Sequence, residues 1–263
     1  MVKKLLLLLG EQSADPLLLP PWVSPNIWEI IIGAVRTTSR PRVFEYGTGC
    51  SSVYHIRAMA LGNGGLYVGA EHDLDWHASV VGALVREYTQ LRLLRLLEVT
   101  DVGEEGSDVR MQIMTEQRIT TEVILKYRTA KNWKGGEGNI EQFGSYVRLP
   151  ANERFDLIVV DGRARKACVD WVLDARSVAG GGALVLCEAG RGTRDWLGQP
   201  TCIGEADYRE TVDRMRSLNG CLYEGVGYGN WPSLHPAIRW QRGRRRVPAE
   251  ICVLKVATTD NGS

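Results

Sequence analysis

An α/β fold with a mostly parallel sheet is what this sequence predicts. Short apolar runs alternate with stretches of helical length, the order that lays helices across a parallel sheet. One run, Phe155-Asp156-Leu157-Ile158-Val159-Val160-Asp161, is apolar on both faces and so belongs at the centre of that sheet. Glycine-rich turns at Gly47-Thr48-Gly49, Gly62-Asn63-Gly64-Gly65 and Gly180-Gly181-Gly182 punctuate the alternation. With 263 residues, 44% hydrophobic and 24% charged, the chain can bury a full core without a metal or disulfides.

Residues 1–40 read as a lead-in. Met1-Val2-Lys3-Lys4 followed by Leu5 to Leu9 has the charge and apolarity of a signal peptide. The run is too short, however, and no small-residue cleavage site follows, so a short packed strand or helix is expected. Pro16, Pro20, Pro21 and Pro25 make the next stretch irregular. A helix is expected from Asn26 to about Thr37, with Ile27, Ile30, Ile31 and Ala34 at helical spacing. Arg42 to Tyr46 is the first strand, Ser51 to Leu61 a helix, Leu66 to Glu71 the second strand and Leu74 to Gln90 a helix. Leu91 to Val99 is expected as the third strand. Residues 100–150 break the rhythm with a β-like run, Thr120 to Tyr127, and the flexible Gly135-Gly136-Glu137-Gly138. They are read as an insertion before the fourth strand, an extra hairpin or a lid. Phe155 to Asp161, Ala183 to Cys187, Cys221 to Gly225 and Ile251 to Val256 complete the strands. Helices at Arg165 to Ser177 and Glu205 to Leu218 lie among them.

The chemistry concentrates in Val43-Phe44-Glu45-Tyr46-Gly47-Thr48-Gly49-Cys50-Ser51-Ser52, a strand that runs through a glycine turn into a helix start. Glycines permit tight reversal and close ligand approach, and the free N–H groups of a helix start favour polar ligand atoms. Twenty-two residues beyond Gly49 the second strand ends in Glu71-His72-Asp73, where an acid can hydrogen-bond ribose hydroxyls. A nucleotide is therefore expected. A dinucleotide fold wants a third glycine, but Ser52 holds that position and Glu45 precedes the loop. A carboxylate repels a pyrophosphate and suits the ammonium of a methionine-type ligand.

These segments resemble the class I methyltransferases dependent on S-adenosylmethionine (SAM). Glu45-Tyr46-Gly47-Thr48-Gly49 resembles their first motif, Phe155 to Gly162 their fourth-strand motif, and Gly180 to Leu186 their loop and fifth strand. The resemblance covers roughly residues 40 to 258, with the motifs in order; Ser51 stands where many members carry glycine. It implies a Rossmann-like, doubly wound sheet of about seven strands with an antiparallel last strand. Residues 41–263 then form the SAM-binding domain behind the 1–40 lead-in. It also implies SAM as cofactor, held by Glu45, Gly47, Thr48, Gly49, Ser51, Ser52, Glu71, His72, Asp73, Asp161 and Gly162. Asp161 is the candidate catalytic group, orienting or deprotonating the methyl acceptor. Arg163, with Arg165, is a candidate for an acidic substrate group, and Glu188, Tyr208 and His235 fall in segments that line substrate pockets in such folds.

Other readings stay open at this stage. Arg239-Trp240-Gln241-Arg242-Gly243-Arg244-Arg245-Arg246 carries five arginines in eight residues and could serve an RNA methyltransferase. The net charge of +1 lends no wider support, and a small-molecule acceptor is favoured. The glycine turn with Glu71 alone also admits a nicotinamide-dependent oxidoreductase, and a binding protein without turnover keeps the same residues. No metal is expected, because arginines occupy the region after the fourth strand and His55, His72, His77 and His235 are dispersed. Six separated cysteines without a C-x-x-C pair read as reduced thiols of a cytoplasmic protein.

Overall fold

The computed structural model describes residues 25–148, 153–187, 208–226 and 248–256. Its elements run α1 (Pro25–Thr37), β1 (Arg42–Tyr46), α2 (Cys50–Leu61), β2 (Gly65–Glu71), α3 (Leu74–Gln90), β3 (Leu94–Asp101), β4 (Gly106–Met114) and β5 (Thr120–Arg128). They continue with α4 (Ile140–Val147), β6 (Phe155–Val160), α5 (Arg165–Asp174), β7 (Val178–Cys187), α6 (Arg209–Ser217), β8 (Cys221–Val226) and β9 (Pro248–Lys255). All strands join one sheet in the order β3-β4-β5-β2-β1-β6-β7-β9-β8.

The central five strands, β5-β2-β1-β6-β7, are parallel, and β9 enters antiparallel between β7 and β8. Two cores follow from the double winding. On one face Val43, Tyr67, Val123, Leu157 and Val185 pack against Ile31 and Val35 of α1, Val53, Ile56 and Met59 of α2, and Val80 and Leu84 of α3. On the other, Phe44, Val68, Ile158 and Leu184 meet Phe143 and Tyr146 of α4, Val169 and Val172 of α5, and Val212 and Met215 of α6. Leu157 and Ile158 feed opposite cores, which is why the β6 run is apolar at successive positions.

The fold class is as expected, with nine strands among the described residues in place of about seven. The third parallel strand is β5, the run assigned to the insertion; Leu94–Asp101 instead forms the sheet's edge, antiparallel to β4. The reason lies in burial. Thr121, Val123 and Leu125 of β5 are fully buried, whereas Leu97 at the edge is 41% exposed. What is added to the sheet is the β3–β4 hairpin, continued into β5, with Val109, Met111 and Ile113 buried and Asp108, Arg110 and Gln112 on the opposite face. Gly180–Gly182, expected as a loop, lie within β7, where the β6–β7 register shifts between Phe155↔Val178 and Leu157↔Ala183.

The expected elements of residues 1–24 lie outside the described residues, as do Glu188, His235 and the Arg239–Arg246 run. Among the described residues no helix is long and apolar enough to cross a membrane, and no cluster of His, Cys, Asp or Glu could hold a metal ion.

Candidate functional site

β1 lies where the sheet's connections reverse direction, with β2 on one side and β6 on the other. Ligands of open α/β sheets bind at such a point, beyond the strands' carboxyl ends. Gly47 turns the chain there at φ +85°. Its N–H and that of Thr48 donate to Ala70 O of β2 at 2.8 and 3.3 Å, while Asp161 N donates to Tyr46 O at 2.9 Å. The Gly47 and Gly162 backbones touch: a Cβ on Gly47 would lie 2.4 Å from the Gly162 Cα. Glycine is thus required on both sides of one crossing. Thr48 is buried with its methyl against Gly69, and Gly49 N donates to Ser52 Oγ at 2.8 Å as α2 begins.

Beneath the turn sits Glu45, 0% exposed. It accepts from Ser51 Oγ at 2.6 Å, Ser52 Oγ at 2.8 Å and the Tyr67 hydroxyl, with His55 Nδ1 at 3.3 Å. Burial pushes its pKa up, but the His55 charge and the hydrogen bonds from His55, Ser51 and Tyr67 outweigh burial and hold it below the usual carboxylate value. Glu45, Ser51 and Ser52, expected to hold the cofactor, are hydrogen-bonded to one another. The two hydroxyls point at the carboxylate, and the group as a whole anchors the turn to β2.

Glu71 ends β2 opposite Tyr127 in register and is 4% exposed. Its Oε1 accepts from the His72 and Asp73 N–H groups at 2.8 and 2.9 Å, and His72 Nδ1 lies 2.9 Å away. The carboxylate therefore shapes its own turn with one oxygen, and its other oxygen accepts no hydrogen bond from the described residues. Asp73 caps α3 by accepting from Trp76 N at 2.9 Å. The Trp76 indole lies over Gly49 and donates to Thr48 O at 2.6 Å.

Across the crevice, Asp161 is 26% exposed at its side chain, with Arg165 Nη2 3.5 Å from its Oδ1. Arg165 itself is 2% exposed and donates to the carbonyls of Gly162, Cys187 and Asp161 at 2.9, 2.9 and 3.1 Å. It ties the ends of β6 and β7 together, and so is not available to a substrate anion. Arg163 stacks over Trp133, its Cζ 5.7 Å from the ring centroid. Tyr208, expected in a substrate pocket, is instead buried at the start of α6 within the second core. A separate cavity of about 640 Å³ opens beside α4, lined by Phe44, Ala70, Lys126, Arg128 and Tyr146 among others; neither Glu71 nor Asp161 lines it.

Trp76, Tyr127, Trp133, Glu137 and Tyr146 escaped the sequence reading. Trp76 carried a signal, an aromatic in the first turn of the helix after the acidic strand end. Trp133 and Glu137 carried none, because only the return of residues 129–148 over the strand ends brings them to the crevice.

No family model matches the chain, and no curated protein matches it in sequence. Several solved structures are similar to it. An O-methyltransferase from Streptomyces achromogenes involved in tomaymycin synthesis, solved with SAM, is 15% identical over 91% of this chain and 84% of its own, with a TM-score of 0.50. An O-methyltransferase from Bacillus cereus, solved with S-adenosylhomocysteine (SAH), is 15% identical over 97% and 90% at a TM-score of 0.49. A SAM-dependent methyltransferase from Geobacter sulfurreducens, also with SAH, is 11% identical over 96% and 98% at 0.45. The chain has the Rossmann-like fold found in SAM-dependent methyltransferases.

Proposed function

We propose that the crevice over Gly47 binds SAM and that the chain transfers its methyl group to a small-molecule acceptor. One observation carries this reading: two carboxylates, Glu71 and Asp161, end the strands on either side of a glycine turn where the sheet's winding reverses. In this reading Glu71 accepts from the ribose hydroxyls, with His72 and Asp73 beside the base. Gly47, Thr48, Gly49 and Gly162 lie under the amino-acid part, where the turn brings their backbone to the surface of the crevice. The fold shared with methyltransferases supports the same assignment.

Bound SAM supplies a methyl group already activated by a positively charged sulfur. What remains for the chain is to align an acceptor and manage its proton. Alignment alone can supply much of the rate, because it converts an encounter into an intramolecular step. Asp161 is the group to orient the acceptor or take its proton: its side chain is partly exposed at the end of β6, with Arg165 Nη2 3.5 Å from its Oδ1. Titration calorimetry with SAM and SAH tests the proposal. Both should bind, and SAH should compete with SAM; binding of neither at high micromolar concentration would remove its basis.

A further inference from the structure

Residues that follow β2 and β6 are bridged by a ring from the segment before α4, which also packs on Phe143 of the second core. His72 follows β2 and Arg163 follows β6, the two strands that flank β1, so a ring touching both joins the two sides of the glycine turn. Trp133 is that ring: its centroid is 5.0 Å from that of His72 at an interplanar angle of 88°, and the Arg163 guanidinium covers its face. Four residues on, Glu137 takes the start of α5. Its carbonyl accepts from Ala164 N at 2.7 Å and its carboxylate accepts from Arg165 N. A helix start is where an anionic ligand group would otherwise be welcome.

We propose that residues 131–138 are a gate whose Trp133 stands in the base-binding position of the cofactor crevice and whose Glu137 latches it. The gate must leave before the cofactor enters. The inference rests on the SAM reading above.

Its construction suits a segment that lets go. Gly135 and Gly136 adopt φ +123° and +76°, and a Cβ on either would meet nothing within 4 Å; the tip is held within the segment itself, where Trp133 Nε1 donates to Gly136 O at 3.3 Å. The ends are fixed. Lys131 N donates to Gln142 O at 2.8 Å, and the Asn139 side chain caps α4 by accepting from Glu141 N and Gln142 N at 3.0 and 3.1 Å. Glu137 Oε2 and Arg163 Nη1 are buried here without a hydrogen-bond partner among the described residues, a cost that opening would relieve. The latch and the stacking hold the gate, and the unmet atoms weaken it.

SAH affinity of the wild type, Trp133→Ala and Glu137→Gln, measured by calorimetry, tests the gate alongside amide hydrogen exchange of residues 131–138. Apparent affinity scales with the open fraction, so Trp133→Ala should bind SAH about three- to tenfold more tightly and Glu137→Gln should show a smaller gain in the same direction. In the wild type, exchange of residues 131–138 should quicken when SAH is added. Binding by Trp133→Ala where the wild type shows none would also support the gate. Weaker binding by Trp133→Ala, with the loop protected by SAH, would make Trp133 a stacking partner of the ligand and overturn the gate. Equal affinities with unchanged exchange would overturn it too. Binding of SAH by none of the three proteins would bring down the cofactor reading and the gate together.

Discussion

Replacing Glu45 by alanine should cost the fold about 3–5 kcal/mol, the range for breaking a buried, paired charge. The figure follows from what the carboxylate holds. Four groups, Ser51 Oγ, Ser52 Oγ, the Tyr67 hydroxyl and His55 Nδ1, converge on it in a space with no exposure. Hydrogen bonds to a charged group contribute about 1.5–3 kcal/mol each, but relaxation and water entering the cavity return part of the total. Glu45→Gln keeps the shape and one acceptor oxygen while turning an amide donor toward other donors, so about 2–3 kcal/mol is expected. Urea denaturation followed by circular dichroism reads both, and Glu45→Ala should lower the midpoint by about 1–2 M. The two proteins should also converge in acid. The folded-state pKa of Glu45 lies below its unfolded value, so its stabilisation is complete above the unfolded pKa. That stabilisation is lost as pH falls through the folded one. A loss under about 1 kcal/mol for Glu45→Ala at neutral pH would be ordinary surface behaviour and would refute the buried-anchor account.

Gly162→Ala would put a methyl 1.9 Å from the Tyr146 hydroxyl and 2.8 Å from Gly47 N. It should lose about 1–3 kcal/mol by overpacking, and adding Tyr146→Phe should restore only part, because the Gly47 backbone still obstructs; thermal melts of the single and double variants check this. His77 is fully buried with no hydrogen-bond partner at either nitrogen among the described residues, and burial lowers its pKa from 6.5 to about 4. The unfolded chain therefore takes up this proton first. Stability from His77 is full above about pH 6.5 and falls by about 3 kcal/mol as pH drops toward 4. His77→Leu should flatten the stability profile across that window, and an unchanged profile would contradict it. Asp161→Asn keeps the side chain's shape and should leave SAM affinity nearly intact while turnover falls by about 10²–10⁴. A matching loss of affinity would move Asp161 to cofactor binding.

Local sequence determined the elements and their character. The helix Leu74–Gln90 and the strand Arg42–Tyr46 were legible to the residue, because apolar spacing, capping side chains and glycine turns act within a few positions of one another. The glycine turn and the two strand-end carboxylates were legible for the same reason. Pairing was not. Leu91 to Val99 and Thr120 to Tyr127 both read as β-like runs, and only competition for burial on a finished sheet put the second, as Thr120–Arg128, beside β2 and the first, as Leu94–Asp101, at the edge. Side-chain roles divided along the same line. Glu45 was visible as an acid before a glycine turn, but Tyr67 and His55, 22 and 10 residues away, turned it inward. Arg163 and Arg165 look alike in sequence. Arg165 opens α5 and is buried among three carbonyls, whereas Arg163, two residues before it, lies against Trp133, a partner 30 residues distant, because packing is decided by neighbours in space.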